Sequence, residues 1–176
     1  MGSKNIPIKL AGLSLFIGGS NNEFATGDIT LPNFTNLSDT LSGAGILGEV
    51  DVPTPGHYSS MQLGISWRTI DKDSLLLVGT DIKSIEARGA FSEFNTSTSV
   101  IEHRAFKGVF RGMGKEFDLG SLVLNSATNT TTNVELTYAK IFIDGAEVFE
   151  LDKLNSVCRI NGVDVLLDIN KILGRA

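Results

Sequence analysis

The stretch Thr132–Asp164, TNVELTYAKIFIDGAEVFELDKLNSVCRINGVD, decides how this chain folds. At its centre Ile141, Phe142 and Ile143 run into Asp144-Gly145, and Val148, Phe149 and Leu151 lead back out. Asp-Gly accepts the positive φ angles of a two-residue type I′ turn, so two antiparallel strands are expected to pair across it. Ahead of the turn Val134, Leu136 and Tyr138 alternate with Glu135, Thr137 and Ala139, the period of a strand buried on one face. Beyond Asn161-Gly162 the apolar residues Val163, Leu166, Ile169, Ile172 and Leu173 recur at helical spacing. Asp164 is placed to cap that segment (164–173) and Gly174 to stop it. Nothing in the stretch is arranged for catalysis.

Working outward, Leu13–Ile17 before Gly18-Gly19 reads as a first strand and Gly27–Leu31 as a second, with Pro32 at its edge. From Ser38 to Gly56 the pattern dissolves into glycines (Gly43, Gly45, Gly48, Gly56) and prolines (Pro53, Pro55), which predicts a long glycine-rich loop. The cleanest alternation follows: Met61, Leu63, Ile65 and Trp67 on one face, Gln62, Gly64, Ser66 and Arg68 on the other. Asp71–Gly79 predicts one short internal helix, capped by Asp71 or Asp73. Ile82–Phe94 and Ser99–Arg111 read as strands around Asn95-Thr96-Ser97, the second ended by Gly112-Met113-Gly114. The second is charged along its length (Glu102, His103, Arg104, Lys107, Arg111), so both its faces are expected to meet water or partners. The fold class is therefore mainly β, a two-sheet sandwich or barrel with one internal and one C-terminal helix.

Composition narrows the function. At 176 residues one domain, 1–176, is expected, and 41% hydrophobic residues suffice for a core. A net charge of −5 argues against a free nucleic-acid binder. One cysteine excludes an intramolecular disulfide and a CxxC zinc site. No stretch approaches the roughly 18 apolar residues of a membrane span, and Leu13–Ile17 is too short for a secretory signal, so no membrane insertion is expected. Asn33, Asn36, Asn95 and Asn129 open glycosylation-type tripeptides that read as polar turns. Met1-Gly2 lacks the hydroxyl residue a myristoylation site wants at Ile6.

The chemical motifs fail on context. Gly43-Ala44-Gly45-Ile46-Leu47-Gly48 spells G-x-G-x-x-G, but no strand precedes it and Pro53 and Pro55 follow, so it reads as a flexible loop. His57 and His103 have no partner at metal-ligand spacing. Ser20 and Ser42 flank glycines without a nucleophile elbow. Cys158 lies between apolar Val157 and Ile160 and reads as a small core or interface residue rather than a nucleophile. Asp144, Glu147, Glu150 and Asp152 lack the oxygen-rich loop of a calcium site and read as a solvated face. No acid, base and nucleophile converge, so no enzyme, cofactor or metal site is expected.

A positive reading comes from the order of several motifs. LSLFIGG (Leu13–Gly19), ITLPNF (Ile29–Phe34), the small-residue run Leu41–Gly48, FKGVFRGMGKEFDLGSL (Phe106–Leu122), FIDG with Glu147, Glu150 and Asp152, and INGVD before a terminal Leu-Gly follow one another along most of the chain. This succession resembles the major tail tube proteins of contractile phage tails, including the tube of R-type pyocins. The resemblance implies a two-sheet β-structure whose subunits close into hexameric rings around a shared inner β-barrel. Those rings would stack into a conduit for DNA in the virion tail, or into a bacteriocin or injection tube without DNA cargo. It implies contacts with sheath, baseplate and tape measure proteins, with DNA only as passing cargo, and no catalytic residues. With Met61, Leu63, Ile65 and Trp67 turned to the core, Gln62, Ser66, Asn133, Glu135 and Thr137 are expected to face the lumen. Gly43, Gly45, Ile46, Leu47, Gly48 and Val50 are expected at ring-to-ring contacts. A monomeric β-sandwich that binds a small ligand is the competing reading.

Overall fold

The computed structural model describes residues 5–19, 26–70 and 72–175. In chain order the strands are β1 (Asn5–Ile17), β2 (Thr26–Thr30), β3 (Asn36–Ser42), β4 (Glu49–Tyr58), β5 (Gln62–Trp67), β6 (Lys83–Asn95), β7 (Val100–Asp118), β8 (Thr130–Ile143), β9 (Ala146–Asp152), β10 (Val157–Ile160) and β11 (Val163–Asp164). Two short helices join them, α1 (Lys72–Leu75) and α2 (Leu167–Ile172). The mainly β class holds. The Asp144-Gly145 turn forms as expected, with φ of 52° and 80° and Ile143 opposite Ala146.

The expected two-sheet sandwich takes a different form. Nine strands belong to one antiparallel sheet in the order β1-β6-β7-β8-β9-β10-β11, with β5 also on β8 and β2 on β5. Since β7 takes one edge of β8 throughout, β5 (opposite Thr130–Glu135) and β9 (opposite Tyr138–Ile143) must share the other. The sheet thus forks near Thr137. A bulge marks the fork: Arg111 pairs with Tyr138 but Gly112 with Leu136, so Thr137 is skipped. Because of that extra residue both Tyr138 and Ala139 are buried, breaking the strict alternation read from the sequence.

One core cluster collects Leu15 and Ile17 from β1, Met61, Leu63, Ile65 and Trp67 from β5, Ile85 and Ala87 from β6, Phe110 from β7 and Val134, Leu136 and Ala139 from β8. Leu77, Leu151, Cys158 and Leu166 close it. Trp67 satisfies its indole N–H inside this core by donating to Thr132 Oγ1 at 3.0 Å. Of the core and interface roles its neighbours allow, Cys158 takes the core one, and burial pushes its thiol pKa up.

Four expectations are corrected. Ser38–Gly56 is no loop: β3 and β4 form a separate two-stranded sheet, and Gly43–Gly48 is only its tip. Pro55 is accommodated because the register jumps from Ser38↔Pro53 to Asn36↔Tyr58, leaving it in an unpaired bulge where no amide donor is needed. Gly112-Met113-Gly114 does not end β7. The strand runs on to Asp118: Gly112 makes room for the backbone of Glu135, and Gly114 for that of Leu77–Gly79, its N donating to Gly79 O at 3.1 Å. The internal helix is a single turn, because burying Leu77 in the core pulls the chain out of helical geometry; Asp71 lies outside the described residues. The C-terminal helix is also shorter than 164–173. Asp164 belongs to β11 and its carboxylate accepts from Leu166 N (2.9 Å), and no residue of α2 is buried.

Candidate functional site

The sheet face turned away from the core carries the organised chemistry. Register lines up Glu86, Val109, Lys140, Glu150 and Arg159 in one row across five strands, and Arg88, Lys107 and Phe142 in the next. Period-two alternation makes this face: Glu86, Arg88, Val109, Lys140, Glu150 and Arg159 each neighbour a core residue, Ile85, Ala87, Phe110, Ala139, Leu151 and Cys158. Glu86 pairs with Arg88 and with Lys107 (3.2 Å). Lys140 reaches Glu147 at 2.8 Å and Glu150 at 3.4 Å, and Glu150 also takes Arg159 (3.3 Å) and the Tyr138 hydroxyl (2.9 Å). Rings interleave the charges: Arg88 stands over Phe16, Arg111 over Tyr138 at 4.0 Å, and both Lys107 and Lys140 over Phe142.

The five residues expected at a lumen lie toward the other end of this face. Gln62 is directly opposite Glu135, Asn133 opposite Gly64 and Ser66 opposite Thr131. Thr137 occupies the bulge, donating to the Arg111 carbonyl at 3.3 Å. Glu135 accepts two contacts from Ser60 Oγ (2.8 and 2.7 Å) and one from Lys115 (3.2 Å), and Asn133 donates to Glu116 at 2.9 Å. The structure therefore brings the five together, with Ser60, Lys115 and Glu116 added. Those three, and the Glu86–Lys107–Lys140–Glu150 lattice, escaped the sequence reading because their partners come from strands whose pairing no local pattern reveals. The solvated-carboxylate reading of the Asp144–Asp152 hairpin needs the same amendment: Glu147 and Glu150 are ion-paired. Of the other candidates, His103 Nδ1 lies 3.4 Å from Ser92 Oγ and Ser42 pairs with Glu49 in the hairpin, while Ser20 is outside the described residues.

Gly43, Gly45, Ile46, Leu47, Gly48 and Val50 sit at the far tip of β3–β4. There Leu47 is wholly exposed and Val50 half exposed. Gly45 (φ 92°) and Gly48 (φ 112°) hold backbone geometry that a side chain would strain.

Glu86, Glu135 and Glu150 share one electrostatic situation. Burial by itself would raise each carboxyl. Hydrogen bonds and charges from Arg88 and Lys107, from Ser60 and Lys115, and from Tyr138, Lys140 and Arg159 outweigh it, so all three lie below their ordinary value of 4.5. A carboxyl with a lower pKa in the folded than in the unfolded state adds stability that is complete above the unfolded value. That stability is lost as pH falls through the folded value. The subunit is expected to weaken progressively as pH drops below 4.5, and Glu150→Gln to flatten that dependence. Urea unfolding of the unassembled subunit at several pH values checks this; an unchanged slope in the variant counts against the lattice.

The arrangement is a wall of mutually neutralised charges. No group of three or more His, Cys, Asp or Glu residues placed to hold a metal occurs among the described residues. A family model described as "Phage tail tube protein FII" matches residues 7–174. The chain belongs to that family. The tail tube protein of Escherichia phage P2 is 28% identical over 173 residues, covering 96% of this chain and 98% of that protein. The major tail tube protein of Serratia phage KSP20 is 25% identical over 163 residues, covering 93% of each. A chain of the anti-feeding prophage baseplate, known from cryo-EM, is a looser likeness, with TM-score 0.39, 10% identity and coverage of 74% of this chain and 89% of that one. The expected contractile-tail tube family is thus the right one, and a protein of this family is a structural component of the virion tail. Tail tube proteins self-associate and join other tail components.

Proposed function

We propose that this tail tube protein, as one domain without enzymatic activity, closes into hexameric rings that stack into a contractile-tail conduit. In that conduit the polar face of β5 and β8 lines the bore. The observation that carries this reading is the place of β1 in the sheet: among the described residues it is the outermost strand of the order, paired along its 13 residues with β6. An edge that long is an aggregation hazard for a monomer, and joining neighbours in a closed ring removes it. Gln62, Ser66, Asn133, Glu135 and Thr137 then form a wall on which DNA can slide, since a basic wall would hold phosphates. The Gly43–Val50 tip contacts the next ring, while sheath, baseplate and tape measure proteins take the remaining surfaces.

Electron microscopy of the purified protein tests the reading. Hollow tubes of uniform width support it, and a monodisperse monomer overturns it in favour of a ligand-binding sandwich. Tubes from a particle that carries no DNA would assign the protein to a bacteriocin-type apparatus. Glu135→Lys tests the wall. The change removes the ion pair and sets two cations side by side, so a loss of about 1 kcal/mol is expected, with slower DNA passage. Cysteine at position 135 should react in assembled tubes with small reagents but not with ones wider than the bore. Ready labelling by the large reagent would place the strand outside.

A further inference from the structure

Among the described residues two apolar faces lack a covering layer. The first belongs to the β3–β4 hairpin. Its register sets Leu41 beside Val50 and Asp39 beside Val52 on one face, and Thr40 beside Asp51 and Ser42 beside Glu49 on the other. Leu37, Leu41, Val50 and Val52 are 51%, 53%, 52% and 46% exposed. Among the described residues the root of the hairpin is anchored by Phe34, Tyr58 and Phe149 packed ring to ring and by Gly56 pressed against Leu166. A free two-stranded ribbon is marginal in water, so a ribbon with one face apolar except for Asp39 is built to be covered.

The second face lies on the extension where β1, β6 and β7 run past the rest of the sheet. The core row Leu15–Ala87 continues into Leu13–Gly89–Phe106 and then Leu10–Phe91–Arg104, rows that lie beyond the buried core cluster of the described residues. Their residues share the core side. Leu10 packs over Gly89, and the Phe91 and Phe106 rings meet edge-on at 6.1 Å. Leu10, Leu13 and Phe91 are 45%, 38% and 38% exposed.

We propose that the apolar face of one copy's β3–β4 hairpin packs onto the Leu10–Leu13–Phe91–Phe106 face of a second copy, completing that copy's core. The inference rests on the tube reading and names the contact it would use. Charge supports the pairing. Between Asn36 and Tyr58 the chain has three carboxylates and no Lys or Arg. Glu49 and Asp51 lie on the ribbon's other face and stay in water when it docks, leaving Asp39 as the charge brought to the contact. The cation on the receiving face is Arg104, 43% exposed. Its Nη1 goes to Glu93 and its Nε to Asp144, which leaves guanidinium donors for Asp39. The carboxylates around it are already served: Glu93 by Asn5, Asp144 by Ala105 N and Glu102 by Asn95. Donor ribbon and receiving face are different surfaces of one chain, so the contact is head-to-tail and propagates from copy to copy.

Cysteine cross-linking tests the seat, because Cys158 is buried and stays silent. Oxidised tubes of the full chain carrying Leu41→Cys and Leu10→Cys are expected to give a ladder of covalent multimers. A mixture of the two single variants should stop at dimers. Leu41→Cys with Ala90→Cys serves as control. Ala90 lies between Gly89 and Phe91 on β6, so strand alternation turns it to the opposite side of the extension. That control should give no ladder. In parallel, Leu41→Asp is expected to raise the protein concentration needed for assembly at least tenfold while leaving the melting temperature of the subunit unchanged. A ladder from the Ala90 pair instead of the Leu10 pair, or tubes that cross-link through neither, overturns the proposed seat and leaves the tube reading standing. Native chain that forms no tubes overturns both.

Discussion

Phe110→Ala should lower the unfolding free energy of the free subunit by about 3–5 kcal/mol, the range for truncating a buried aromatic ring. Phe110 is wholly buried at the middle of β7, opposite Ile85 on β6 and Ala139 on β8, where the sheet's layers meet. Its ring also fills the space above Gly108, whose absent Cβ would lie 2.7 Å from it. No neighbour is free to collapse into the vacancy, since Ile85, Ala87 and Ala139 are held by their own strand register. Phe110→Leu keeps most of the volume and should cost less, about 1–2 kcal/mol. Urea midpoints of both variants decide the matter; a loss below about 1 kcal/mol for the alanine would mean that the core lies elsewhere.

Gly114→Ala should be nearly as damaging although it adds one methyl group. A Cβ there would fall 1.9 Å from the Leu77 carbonyl oxygen, and that oxygen is backbone. The hydrogen bond from Gly114 N to Gly79 O holds the same segment in place, and burial of Leu77 pins it from the other side. Either β7 or the Leu77–Gly79 segment must move, at a cost of about 3 kcal/mol. Gly12→Ala is the matched control: nothing lies within 4 Å of its added Cβ, so its effect should stay within about 0.5 kcal/mol. Thermal melts of the two variants separate a steric cause from a general intolerance of glycine replacement. Equal losses in both would reject the packing argument.

Both expectations concern residues whose roles the sequence conceals. Phe110 lies in a run, Val109–Phe110–Arg111, that marks a strand without telling which face is core, and Gly112-Met113-Gly114 carries the signature of a strand end. Only the approach of Leu77–Gly79 to Gly114, and of the Glu135 backbone to Gly112, turns those glycines from a break into a seat. The predicted helices shortened for a related reason. Leu77 and Leu166 are each drawn into the core individually, and a single anchoring residue fixes a turn rather than an amphipathic helix.

By itself the sequence determined what depends on neighbours a few residues apart. The positive φ angles at Asp144-Gly145 and the period-two burial of Met61, Leu63, Ile65 and Trp67 are of this kind, as is the inward turn of Cys158. The order of its motifs also sufficed to place the chain among tail tube proteins. Tertiary structure alone decided which strands pair, where the sheet forks at Thr137, and that Ser38–Gly56 leaves the body as a hairpin. It also decided that Glu86, Lys107, Lys140 and Glu150 neutralise one another. Alternation tells a residue which side of its own strand it occupies. The identity of the strand across from it comes from register between distant segments, set by packing that no local pattern records.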